Sequence, residues 1–243
     1  MILDVDEEHL FVISDLHLGN RASTAATRVL PFLEHVAEAG ASLCINGDGF
    51  DMLQTSFKRV VTAGVPVLSR LQWITANGGR VYYVVGNHDL VLEHFLDSVL
   101  TLNLSPFLNV VSGDARIRVE HGHLYDPIFA RYPDLYATAT RLAGLALFVG
   151  GDIYRVWSWL ADQVDQRRRA RAGNDLTAAS YCHAAAEMLL GRGFDAVLFG
   201  HTHNAEHVQM PSGAYVNCGN WLHGRTFVEI DHGTVALKSW EEP

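Results

Sequence analysis

Cysteine is scarce: three residues, Cys44, Cys182 and Cys218, stand far apart in 243 positions, odd in number and without a Cys-x-x-Cys pair. That excludes a disulfide framework or a zinc ribbon, and the three are expected to be buried small hydrophobes. Basic residues are also short, 18 against 27 acidic ones for a net charge of −9. The broad cationic surface behind non-specific nucleic-acid affinity is therefore missing, and nucleic acid is disfavoured as a partner. No stretch reaches the roughly 18 to 20 apolar residues of a membrane span, the longest, Leu142 to Gly151, being about half that. A peripheral membrane contact is compatible with this, a crossing is not. The start, Met1 to Glu8, is acidic and lacks the basic n-region of a signal peptide, so a cytoplasmic location is expected.

What is present is a normal globular composition, 49% hydrophobic and 19% charged, without repeats or low-complexity segments. We expect one α/β domain over 1–243. A strand before Asp15, a helix over Ala22 to Ala39 with Pro31 at its start or a kink, and a strand over Ser42 to Asn46 open an alternating rhythm. A second helix is expected over Val60 to Ala76, interrupted near Gly64 and Pro66, and then a strand from Arg80 to Val85. A short helix over Leu90 to Leu100 and strands near Leu108 to Val111 and Ala115 to Glu120 follow. From Asp126 to about Arg192 the pattern is helical only, an insertion or cap over about 127–192. Four late strands, Glu206 to Met210, Ala214 to Asn217, Arg225 to Asp231 and Thr234 to Lys238, are expected to form a second sheet.

The informative stretch is Val81-Tyr82-Tyr83-Val84-Val85-Gly86-Asn87-His88-Asp89. Its apolar run reads as a strand buried on both faces between helix layers, and Gly86 turns the chain so that Asn87 and His88 project from the sheet's carboxyl edge. Alone this is an ordinary turn with a helix-capping Asp89. The layout recurs, however, at Ser14-Asp15-Leu16-His17, Asn46-Gly47-Asp48-Gly49-Phe50-Asp51, Glu120-His121-Gly122-His123 and Gly200-His201-Thr202-His203. Strand spacing lets Asp15 and His17 face one side, and likewise His201 and His203, so each pair is expected to chelate one ion.

These motifs, D-x-H, G-D-x-x-D, G-N-H-D, a later His and G-H-x-H in that order, resemble the calcineurin-like metallophosphoesterase superfamily across essentially the whole chain. The resemblance implies a four-layer α/β/β/α sandwich with a helical insertion and a centre of two divalent metal ions. It implies that Asp15, His17, Asp48 and His203 hold one ion and Asp48, Asn87, His121 and His201 the other. Mixed nitrogen and oxygen ligands suit Mn2+ first, with Fe2+, Zn2+ or Mg2+ as alternatives. Metal coordination lowers the pKa of water toward about 7, and the ions retain net positive charge for a phosphate. His88 would stabilise the transition state or protonate the leaving oxygen, with Asp51 orienting it or merely capping a helix.

A closer resemblance, carried by Ser14 to Gly19, His121-Gly122, the insertion, and Tyr215 to Trp221 with Thr226 and Glu229, is to the UDP-2,3-diacylglucosamine diphosphatase branch. That branch carries Arg where this chain has His88, and usually Asp where it has His123. It implies a pyrophosphate substrate, nucleotide- or lipid-linked, beside the broader options of a phosphodiester or phosphomonoester. In the insertion Leu142, Leu145, Val149, Ile153, Trp157, Leu160 and Val164 recur at helical spacing, followed by Arg167 to Arg169. Asn20, Arg21, His123, Trp157, Trp159 and Arg168 are the candidate substrate-binding residues. A helical hairpin packed on the main domain is the other reading of the insertion. A nuclease, and a metal-binding scaffold without catalysis, are the alternative functions.

Overall fold

The computed structural model describes residues 3–95, 102–132, 134–135, 138–142 and 178–241. In chain order the strands are β1 (Leu3–Asp6), β2 (His9–Ile13), β3 (Ser42–Asn46), β4 (Val81–Val84), β5 (Leu102–Ser105), β6 (Leu108–Ser112) and β7 (Ala115–Val119). They continue with β8 (Ala196–Phe199), β9 (Glu206–Met210), β10 (Gly213–Asn217), β11 (Thr226–Asp231) and β12 (Thr234–Ser239). The α-helices are α1 (Ala25–Arg28), α2 (Leu30–Glu38), α3 (Phe57–Ala76), α4 (Pro127–Arg131) and α5 (Ala178–Leu190), with 3-10 turns at Leu90–Phe95 and His123–Tyr125.

Two six-stranded sheets stack face to face, one ordered β12-β11-β2-β3-β4-β5 and the other β1-β6-β7-β8-β10-β9. Side chains alternate along each strand, so every central strand feeds two cores. Phe11, Ile13, Leu43, Ile45 and Tyr83 point toward α2 and α3, where Phe32, Leu33, Val67, Leu71 and Ile74 cover them. Leu10, Val12, Cys44, Tyr82 and Val84 face the other way and meet Val110, Ile117, Val119, Leu198 and Val216 of the second sheet. Beyond that sheet Val197, Phe199 and Tyr215 pack under Cys182, Ala186 and Leu189 of α5. The layers are thus α/β/β/α, a metallophosphoesterase sandwich.

β4 is buried on both faces as its composition predicts, but by helices on one side and a second sheet on the other. The four late strands do not share one sheet: β9 and β10 join β8, whereas β11 and β12 extend the first sheet past β2. Hairpin chemistry predicts who pairs with the next strand, not which sheet edge the hairpin joins. α3 begins at Phe57 and runs unbroken through Gly64 and Pro66. Its buried face, Val60, Gly64, Val67, Leu71 and Ile74, keeps helical spacing throughout, and Gly64 lets Phe50 approach, so packing overrides the local breakers. The expected helix from Leu90 is a 3-10 turn ending at Phe95, within the described residues. The middle of the helical stretch, with Trp157, Trp159 and Arg168, lies outside the described residues.

Candidate metal centre

Where the apolar runs stop, the backbone takes an uncommon turn. Asp15, His17, Asp48, His201 and His203 all have positive φ, between 47° and 61°. For residues with a Cβ such positions cost on the order of 1–3 kcal/mol each, and clusters of them mark functional sites. Loop-to-loop bonds hold them: Asp15 N–H donates to the Gly47 carbonyl at 3.1 Å and His17 N–H to that of Asp48 at 2.8 Å. Two glycines permit the crowding. A Cβ on Gly47, itself at φ 77°, would sit 2.3 Å from His121 Nδ1, and one on Gly86 would sit 2.2 Å from Asp48 Oδ1.

The paired chelation expected from strand spacing does not occur in full. Asp15 and His17 do converge, His17 Nε2 lying 3.8 Å from Asp15 Oδ1. His201 and His203 separate. His203 Nε2 lies 3.0 Å from Asp15 Oδ1 and 3.3 Å from His17 Nε2, while His201 Nδ1 lies 2.9 Å from Asn87 Oδ1. Asp48 Oδ2 stands between the groups, 3.8 Å from His17 Nε2 and 3.4 Å from His121 Nε2. Donor atoms of Asp15, His17 and His203, of Asp15, Asp48 and His121, and of His17, Asp48 and His88 form clusters fit for a cation.

Two of these buried atoms, Asp15 Oδ1 and His121 Nε2, make no well-formed hydrogen bond although other donors of the clusters surround them. Buried polar atoms are normally satisfied, so acceptors aimed at one another call for a cation between them. The surroundings keep them aimed. Ser14 Oγ lies 2.6 Å from Asp15 Oδ2, and His121 Nδ1–H donates to the Asn46 carbonyl at 2.8 Å, leaving Nε2 to the site. Burial opposes ionisation of Asp15 and Asp48, yet His203 and His121 hold the Asp15 carboxyl, and His121 and His88 that of Asp48, well below the usual range. Burial likewise works against charge on His121, but Asp48 and Asp15 hold it up at about 10. Protons thus balance the buried carboxylates where a divalent ion would replace them.

His88 lines a cavity of about 160 Å³ together with His17, Asn20, Asp48, Asn87 and Leu222. Its Nδ1 lies 3.1 Å from Asp51 Oδ1. Asp51 is held in turn by Asn20 Nδ2 at 2.5 Å and Gln54 N–H at 2.8 Å, and it does not cap α3, whose N-cap is Ser56. Burial pushes the His88 pKa down, but Asp48 and Asp51 outweigh it and raise it to about 9. Asp89, rather than capping a regular helix, accepts from Tyr83 O–H and from Gly86 N–H, fixing the turn that carries Asn87. Of the candidate substrate residues, Asn20 reaches the cavity, His123 is buried beside the His121 and His201 rings, and Arg21 is exposed. Burial, then His121 and His201, push His123 down to about 3, which keeps it neutral.

Sequence reading missed Asp126, whose Oδ2 lies 3.1 Å from His201 Nε2, and Asn220, whose Nδ2 donates to the His203 carbonyl at 3.0 Å. Neither ends an apolar run, so periodicity carries no trace of them.

A profile of the calcineurin-like phosphoesterase family matches residues 9–205. Among curated proteins the chain is 28% identical to a UDP-2,3-diacylglucosamine hydrolase of Bordetella parapertussis over 205 residues, 82% of this chain and 79% of the relative. It is 26% identical to the protein of that name from Azotobacter vinelandii over 237 residues, 90% and 93% of the two chains. Solved structures of similar fold include a dimetal phosphatase from Danio rerio, TM-score 0.52 at 12% identity with 95% of each chain covered. An archaeal phosphodiesterase has a TM-score of 0.50 at 13% identity, covering 96% of this chain and 99% of its own. Sandwich, strand-end donors and a profile spanning most of the chain agree: this protein belongs to the calcineurin-like phosphoesterase family and is a metal-dependent phosphoester hydrolase.

Proposed function

We propose that the chain holds two divalent ions, Asp15, His17, Asp48 and His203 on one and Asp48, Asn87, His121 and His201 on the other, and hydrolyses a phosphodiester, pyrophosphate or phosphomonoester. The observation that carries this reading is the convergence of buried carboxylate and imidazole donor atoms on either side of Asp48 Oδ2. The imidazole and carboxylate donors fit Mn2+, and equally Fe2+ or Zn2+. Once bound, such ions supply positive charge to phosphoryl oxygens and make water a usable nucleophile near neutral pH.

The chain's own part follows from its contacts. His88 faces the cavity while Asp51 accepts from its Nδ1–H, so the rest of the ring is presented to the phosphoryl group as a donor to the leaving oxygen or to a transition-state oxygen. Asn20 keeps Asp51 in place, and the buried His123 is a wall of the site rather than a charge.

For the substrate we propose a nucleotide- or lipid-linked pyrophosphate, as the names of the relatives suggest. The stretch over about 127–192 is part of that reading as a helical insertion on a single domain. It is supported by its ends: Phe129 packs on His123, and His183 Nε2 lies 3.2 Å from Glu206 Oε1 just past His203. The expected cellular location is the cytoplasm.

The test is Asp48→Asn, assayed with Mn2+ and after chelation on a panel of phosphate esters and pyrophosphates. The variant should lose at least one ion by elemental analysis and lose hydrolysis while its circular dichroism stays native. Two tightly held ions with undiminished turnover would remove the basis of the mechanism.

A further inference from the structure

We infer that Asp126 is a positioning residue for the metal centre: its carboxylate sets the rotation and tautomer of His201 and ties the first helix of the insertion to that ligand. This rests on the two-ion reading above and adds to it a residue outside the ligand set.

His201 stands between two oxygen atoms on opposite sides of its ring, Asn87 Oδ1 at 2.9 Å from Nδ1 and Asp126 Oδ2 at 3.1 Å from Nε2. A neutral imidazole has one N–H to give. Given to Asp126, it leaves the Nδ1 lone pair facing the Asn87 side chain and free to ligate a cation that the Asn87 carbonyl oxygen would share. Given to Asn87 instead, it would block the ligand nitrogen. The carboxylate thus selects the tautomer that can bind metal. His201 needs such help, because its backbone is left-handed at φ 61° and its ring meets those of His121 and His123 only edge-on, contacts that do not choose between nitrogens.

Asp126 is itself held. It closes the turn His123–Tyr125 with extended backbone at φ −71° and ψ 116°. Its Oδ1 accepts from Phe129 N–H at 3.4 Å, and its carbonyl from Ala130 N–H at 2.8 Å, so one carboxylate opens α4 with one oxygen and reaches His201 with the other. Both side chains are largely buried, 14% and 8% exposed, which strengthens the bond.

Asp126→Ser separates the two duties, since a serine can still open α4 but is too short to reach His201. Metal-free wild type, Asp126→Ser, Asp126→Asn and His201→Ala would be titrated calorimetrically with Mn2+ alone, His201→Ala identifying the binding step that belongs to His201. In Asp126→Ser that step should weaken about 10- to 100-fold while the other step and the metal-free melting temperature stay unchanged. Asp126→Asn, which keeps an acceptor oxygen, should recover most of the affinity. Unchanged affinity at the His201 step overturns the inference, and so does equal weakening of both steps, which would mean general structural damage. A wild type that takes one ion overturns the two-ion reading alone, because the comparison with His201→Ala still decides the role of Asp126.

Discussion

His88 and Asn87 sit side by side but face different partners: Asn87 Oδ1 opposes His201 Nδ1, whereas His88 is tied to Asp51 and open to the cavity. His88→Ala is therefore expected to keep its metal content and lose about 10²- to 10⁴-fold in kcat on alkyl esters. The loss should shrink on nitrophenyl esters, whose leaving group needs no proton. An equal loss on both would leave oxyanion stabilisation as the role. At this scale most of the site is legible in the sequence, because each gathered residue ends an apolar run: Asp15, His17, Asp48, Asn87, His121, His201 and His203 lie in one region of the structure. Their grouping is not legible. Two-residue spacing predicts His201 with His203, yet the two rings part, one to Asn87 and the other to Asp15.

Among the elements, α3 carries an avoidable cost. Pro66 lies on its exposed face, mid-helix, where it gives no N–H to the preceding turn. A helix-interior proline is worth about 3 kcal/mol less than alanine, and the stiffer unfolded chain offsets roughly 0.4–1 kcal/mol of that. Pro66→Ala should then raise the melting temperature by roughly 4–10 °C at about 2–4 °C per kcal/mol, with activity unchanged. A lowered melting temperature would mean that the proline shapes the packing of Phe50 on Gly64. The same helix shows why breaker residues misread its length: five buried positions at helical spacing outweigh a glycine and a proline. Two strands went unread for the opposite reason. β1 (Leu3–Asp6) and β5 (Leu102–Ser105) are four residues each and lie at sheet edges, too short for a period to stand out.

For the molecule as a whole, the donors come from both sheets: Asp15, Asp48 and Asn87 follow β2, β3 and β4, whereas His121, His201 and His203 follow β7 and β8. Ions bound as proposed would therefore stitch the sheets together at one edge. An ion present at 100 times its Kd adds about 2.7 kcal/mol to stability. Chelation should accordingly lower the melting temperature by roughly 5–10 °C per ion, and Asp48→Asn should respond less to chelator than the wild type. A wild-type melting curve indifferent to chelator would place the ions outside the folding equilibrium.

The exchange of terminal strands gives the chain an order of assembly that differs from its order of synthesis. β2, the strand that delivers Asp15, keeps one edge open until β11 is made, since that neighbour lies at Thr226–Asp231. β1, made first, pairs with β6 of the far sheet. A growing chain presents Asp15, Asp48 and Asn87 on an unfinished sheet, long before His201 and His203 exist to complete the donor set. On the two-ion reading metal loading is thus a closing event, because a ribosome-bound fragment ending before β8 has the carboxylates with His17 and His121 but lacks His201 and His203, one imidazole for each ion.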